Sequence, residues 1–218
     1  MHEFDRNVFI NCPFDEDFAP LLQAIIFTVM TLGLEPRLAT ERNDSGETRL
    51  DKIKELIEQS RFSIHDLSRC IAQKKGEMFR LNMPFELGID YGCRQYLGGD
   101  HLGKRFLILE EERYRFQAAL SDISGSDIKA HAGDYEKAIR IVRDWLRSEA
   151  EIKAPGPAAL LGQYVTFQEW HYERLLDEGY SDDDIQEYPT FELLESIRVW
   201  ISQGKPVQYL RPKSPHRG

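Results

Sequence analysis

Apolar and polar positions alternate in blocks that switch between a strand period and a helix period. Asn7-Val8-Phe9-Ile10-Asn11 is a short apolar run halted by Cys12-Pro13, which predicts a buried strand ending in a loop. Leu22, Ile25, Ile26, Val29 and Met30 then recur at three- and four-residue spacing, with Gly33 placed to stop the helix. Residues 34–39 predict a second strand. A polar loop over 40–47 leads to a helix carrying Leu50, Ile53 and Ile57, and residues 61–66 read as the third strand. Next comes a helix opening at Asn82-Met83-Pro84-Phe85-Glu86-Leu87-Gly88-Ile89. Pro84 suits its first position, and Phe85, Ile89, Gly92 or Cys93, and Tyr96 form its apolar stripe. Gly98-Gly99 turns the chain into a strand over 105–109, a fifth strand is expected near 127–131, and Tyr135, Ile139, Val142 and Leu146 mark a further helix.

Strands that alternate with helices imply a parallel sheet covered on both faces, since parallel strands need crossovers and the crossovers supply the cover. The expected fold is a doubly wound α/β domain with a mostly parallel five-stranded sheet of flavodoxin-like type over residues 1–150. The stretch 152–157, Ile-Lys-Ala-Pro-Gly-Pro, has linker chemistry. Beyond it residues 158–210 predict a helical C-terminal appendage, with Gly179 and Gly204-Lys205-Pro206 as stops and Ser181 and Thr190 as N-caps. The tail from Arg211 is expected to be mobile.

Composition narrows the function classes. A formal charge of −9 over 218 residues disfavours binding to a phosphate backbone, which rests on Lys and Arg displacing counterions, so no nucleic-acid partner is expected. Cys12, Cys70 and Cys93 show neither paired-ligand spacing nor an even count, so no disulfide framework and no metal site are expected, and a reducing cytoplasm is the expected compartment. With no apolar run of about 18 residues or more, no membrane partner is expected either.

Candidate chemistry gathers where an open parallel sheet binds ligands, beyond the carboxyl ends of its strands. Glu86 lies off the apolar stripe in the expected first turn of its helix, where the dipole favours a carboxylate by roughly 0.3–1 kcal/mol. It reads as a preformed anion for nucleophilic or electrostatic work, or as a carboxylate that merely complements the dipole. Asp66 ends the third strand and is a site acid or a capping carboxylate. Asn11, Cys12, Phe14, Ser45, Arg49, Ser68 and Asn82 fall on the same edge as candidate substrate contacts. Turn formation for Asn11 and Ser68, loop packing for Phe14 and a solvated helix start for Arg49 are the alternatives. His131 is a possible acid or phosphate contact or a structural histidine, whereas His65 faces away from Asp66 by strand alternation and is given no catalytic role.

The segments Phe9-Ile10-Asn11-Cys12-Pro13-Phe14, Ile64-His65-Asp66-Leu67-Ser68 and Asn82-Met83-Pro84-Phe85-Glu86-Leu87-Gly88-Ile89 together resemble the superfamily of nucleoside 2-deoxyribosyltransferases, nucleotide N-glycosidases and TIR-like domains, over roughly residues 7–146. The resemblance implies that Asp66 holds sugar hydroxyls and that Glu86 is the nucleophile or oxocarbenium stabiliser at the anomeric carbon. It implies cleavage or exchange of an N-glycosidic bond on a nucleotide, nucleoside or NAD, with no cofactor. Asn82 stands where the transferases often carry an acid, which leaves hydrolase, transferase and degenerate relative open. The alternative in another class is a TIR-like module that binds a nucleotide signal or a protein without turnover. A flavodoxin-like redox or receiver domain fares worse, because no phosphate-cradling glycine loop follows the first strand. The resembled enzymes often complete their pockets with a neighbouring subunit, and Tyr164, Phe167, Trp170 and Tyr172 enrich the appendage in aromatic surface, so a homodimer or larger homo-oligomer is expected.

Overall fold

The computed structural model describes residues 3–41, 44, 46–70, 81–116 and 120–210. The chain divides into two compact units, residues 1–154 and 155–218.

In the first unit, β1 (Asn7–Asn11), β2 (Glu35–Arg37), β3 (Phe62–Asp66), β4 (Arg105–Glu110) and β5 (Lys129–Ala130) form one all-parallel sheet in the order β2-β1-β3-β4-β5. The helices are α1 (Ala19–Thr31), α2 (Arg49–Glu58), α3 (Asn82–Tyr96) and α4 (Tyr135–Glu149). Chain direction across the sheet reverses after β2. With right-handed crossovers this reversal puts α1 on one face, where it packs against α4, and α2 with α3 on the other. The fold is the doubly wound α/β sheet expected, and its switch point lies between β1 and β3.

Burial explains the boundaries. All five residues of β1 and of β3 are buried, as a central parallel strand covered on both faces requires. The second strand is shorter than the expected 34–39, and the fifth keeps only two residues. Phe9, Ala39, Ile53, Leu56, Ile57 and Cys93 form the core beneath α2 and α3, with Ile89 against it. Leu50, expected on the inner face of α2, is 43 % exposed, and Leu56 takes that place.

The largest correction concerns α3. The helix starts at Asn82, so Pro84 is its third residue and Glu86 its fifth, in the second turn. Proline is tolerated there because the first four amide groups of a helix have no intrahelical partner. The expected stripe is buried only in part, at Ile89 and Cys93. Phe85 is 58 % and Tyr96 90 % exposed, whereas Met83, Glu86, Leu87, Asp90 and Cys93 face inward. Two carboxylates therefore lie on the inner face, and Glu86 is on it.

The second unit holds α5 (Pro157–Glu178), α6 (Asp182–Gln186) and α7 (Thr190–Ser202). Pro157 opens α5, and Gly179 closes it at φ 94°, the left-handed conformation in which glycine meets no Cβ penalty. Ser181 caps α6 in a reciprocal box with Asp184, as expected of an N-cap, whereas Thr190 is the first helical residue of α7 and Pro189 holds the cap position. Phe167 meets Trp200 edge-on at 5.5 Å and stacks on His171 at 5.3 Å. Tyr164, Phe167 and Trp170 are buried in the chain itself, so the surface on which the homodimer expectation leaned reduces to Tyr172. The tail from Arg211 lies outside the described residues. Among the described residues no helix is long and apolar enough to cross a membrane.

Candidate active site

At the β1/β3 switch point a cleft of about 420 Å³ is lined by Asn11, Cys12, Pro13, Phe14, Arg49, Leu81, Asn82, Met83 and Glu86. Pro13 stops β1 from continuing, so the chain turns away and leaves the carboxyl ends of the strands open. Thr48 caps α2 by accepting from Asp51 N, which fixes Arg49 at that helix's first position, on the cleft. Asn82 and Met83 bring the amino end of α3 to the cleft. Phe14 presents an exposed ring at its mouth.

Glu86 is the buried acid of this wall, 5 % exposed. Burial pushes its carboxyl up to about 7, against a smaller opposing pull from the Arg49 charge. No described residue within the core donates a hydrogen bond to it. The expectation of a preformed anion is thus corrected. In the second turn the helix dipole has faded, desolvation dominates, and the group stands poised between acid and carboxylate near neutrality.

Asn11, at the end of β1, donates both amide hydrogens inward, from Nδ2 to the Met83 carbonyl at 2.9 Å and to His65 Nδ1 at 3.0 Å. His65 lies directly across the β1/β3 ladder from Asn11. Its other nitrogen, Nε2, donates to Asp90 Oδ2 at 3.1 Å. Lys104, just before β4, lies 3.1 Å from Asp90 Oδ1 as a charge pair without hydrogen-bond alignment, and donates to the carbonyls of Ile57, at 2.7 Å, and Ser60. Burial works to raise the Asp90 carboxyl, but the hydrogen bond from His65 and the Lys104 charge outweigh it and hold the group below its ordinary value.

Asp66 and Ser68 are not brought to the cleft. Asp66, fully buried, accepts from Ser68 N at Oδ1, 2.9 Å, and from His131 Nε2 at Oδ2, 3.0 Å. His131 Nδ1 accepts from Gly133 N at 3.0 Å, so the ring's hydrogen sits on Nε2. Ser68 Oγ lies 3.1 Å from that same Nε2. Serine and aspartate thus share one imidazole nitrogen, whereas a nucleophilic triad uses the two opposite ones, and all three side chains are sealed. The cluster ties the end of β3 to the turn before α4.

Cys12 lines the cleft but is 3 % exposed. Burial, then the charges of Asp66, Glu86 and Asp15, raises its thiol well above the ordinary value, which leaves it unreactive as a thiolate. Burial likewise pushes the Cys70 thiol up to about 12. Of the expected contacts, Asn11, Cys12, Phe14, Arg49, Asn82 and Glu86 meet at one cleft; Asp66 and Ser68 form a separate buried cluster; Ser45 lies outside the described residues. Sequence reasoning missed Asp90 and Lys104, for which the only signal was two charged residues beside apolar runs.

Comparison with known proteins brings no relative: no protein-family model, no curated protein and no solved structure matches this chain. The chemistry of the cleft follows from its own atoms.

Proposed function

We propose that the protein binds a nucleotide, nucleoside or NAD at the β1/β3 cleft and cleaves or exchanges its N-glycosidic bond, with Glu86 acting at the anomeric carbon. The observation that carries this reading is a carboxylate 5 % exposed, opening onto a cleft of about 420 Å³ and taking no hydrogen bond from a described residue. Such a group costs stability when ionised, and a site that keeps it must gain from it elsewhere.

Breaking the bond between a sugar carbon and a base nitrogen leaves the electron pair on the base and builds positive charge on the sugar. An anion a few ångströms away, in a site with little water, stabilises that charge far more than it would in bulk solvent. One carboxylate suffices, because a base protonated on its ring, or a nicotinamide already cationic, leaves without a dedicated acid. The developing cation also favours the ionised form of Glu86. Around it Phe14 offers a face for stacking a base, Arg49 a cation for an anionic group, and Asn11 and Asn82 polar contacts for the sugar. Asp66 has no part in the reading, since both its oxygens are bonded away from the cleft.

That same sealing of Asp66 leaves Glu86 as the one carboxylate lining the cleft among the described residues, and this favours as second reading a module that binds such a ligand without turnover. Incubating the purified protein with a panel of nucleosides, nucleotides and NAD, and following free base by chromatography, separates the two. Release of base above the rate without protein supports the enzyme. A ligand that binds and returns intact supports the binding module.

A further inference from the structure

Asn11 lies at the cleft with an orientation that the protein interior dictates. Asp90 Oδ2 can only accept, so His65 carries a hydrogen on Nε2, and Nδ1 of the neutral ring turns its lone pair to the Asn11 nitrogen that also donates to Met83. The Met83 carbonyl can only accept as well. Two acceptors thus surround the amide nitrogen of Asn11 and consume both its hydrogens. The opposite flip would set its carbonyl oxygen against a carbonyl and an imidazole lone pair, two repulsive contacts at 4 % exposure. Oδ1 is the polar atom left to the cleft, and it has no donor to offer.

The support runs deeper than one contact. His65, Asp90 and Lys104 are all fully buried, and Lys104 anchors the chain of bonds to the carboxyl end of α2 through Ile57 and Ser60. A tautomer defined by a buried charge pair does not switch with the ligand. On the Asn11 side, close to Glu86, the cleft therefore presents acceptors to any ligand, while the cation Arg49 is another part of the same wall.

We propose that His65 and Asp90 are positioning residues that lock Asn11 with Oδ1 turned to the cleft, and that this oxygen reads a hydroxyl donor on the sugar of the ligand. The proposal rests on the N-glycosidic reading for the identity of the ligand. It makes ribose hydroxyls a requirement and not a spectator, because a buried acceptor facing a missing donor is left unpaired.

The test compares binding of ribonucleosides with that of their 2′,3′-dideoxy counterparts by calorimetry, on wild type and three variants, with base release followed in parallel. Wild type binds the ribonucleoside about tenfold or more tightly. Asn11→Leu and His65→Leu bring that ratio close to one. His65→Asn, whose side-chain oxygen stands near the place of Nδ1, restores most of it. A purely structural histidine predicts otherwise: His65→Leu would lower the thermal midpoint and leave the ratio untouched, which overturns the proposal. Nitrogen NMR of the unliganded protein supplies a readout that survives a poorly folding variant, since the proposal requires His65 as the Nε2–H tautomer and fails on the other. A wild type that releases base with no preference for hydroxyls overturns the proposal and keeps the N-glycosidic reading. One that binds with the preference yet releases no base does the reverse, and one that binds no nucleoside overturns both.

Discussion

Glu86 and Asp90 stand one turn apart on the inner face of α3, and their carboxyl groups are driven in opposite directions. Asp90 is held low by His65 and Lys104, whereas Glu86, with a cleft in front of it, is pushed up to about 7 by burial. Two acids whose environments separate them in this way divide into a structural anion and a group free to act.

The pH dependence of turnover follows from the second of these. A role at the anomeric carbon needs Glu86 ionised, so kcat/KM should fall about tenfold per pH unit below the Glu86 value of about 7 and level off above it. Initial rates of base release between pH 5 and 9, within the range where the fold is intact, check this. A profile that falls toward high pH would mean that Glu86 acts as an acid.

Stability should move the other way. The folded protein binds the Glu86 proton more tightly than the unfolded chain does, with values of about 7 against 4.5. Stability from this group is therefore full below about 4.5 and lost as pH rises to about 7. Glu86→Gln escapes the loss, so it should be more stable than wild type at pH 8, with a ceiling on the order of 3 kcal/mol, and the gap should close by pH 4 to 5. Denaturant melts at the two pH values measure it. A carboxylate that only complemented the helix dipole would instead make the variant less stable at pH 8.

Asp66→Asn tests the separate cluster. The change removes the charge that His131 Nε2 and Ser68 N bond to, inside a fully buried site. It should cost about 1–3 kcal/mol of stability and leave the affinity for a nucleoside within a few-fold. Calorimetric titration on the folded variant decides, and a large loss of affinity at unchanged stability would place Asp66 at the ligand after all.

The buried pair makes a further forecast. Asp90→Leu leaves the Lys104 ammonium without a counter-charge and should cost about 3–5 kcal/mol, and adding Lys104→Met should recover part of that. Urea melts of the two singles and the double give the coupling. Additive losses would show that Lys104 and Asp90 do not act as a pair.

The sheet was legible because its signals are local. The run from Asn7 to Asn11 ends at a proline, and its boundaries hold to the residue. The inward face of α3 is legible only in part: Ile89 and Cys93 turn to the core as their spacing suggests, whereas Phe85 and Tyr96, which extend the same apolar pattern, stay exposed. What turns Asp90 inward with them is His65, 25 residues before it, which donates a hydrogen bond, and Lys104, whose charge offsets a carboxylate no local pattern would bury. Glu86 and its cleft neighbours were found because strand ends and a helix start bring them to one edge. Asp66 was placed at that edge too, and its withdrawal depends on His131, 65 residues away.

The central claim is the role of Glu86, and the most direct measurement is base release by Glu86→Gln, on the nucleoside, nucleotide or NAD that wild type cleaves, with ligand affinity taken on the same preparation. Turnover should fall on the order of 10³-fold or more, while affinity stays within a few-fold, since glutamine keeps the shape and removes the charge. A folded Glu86→Gln protein that releases base at the wild-type rate would contradict it.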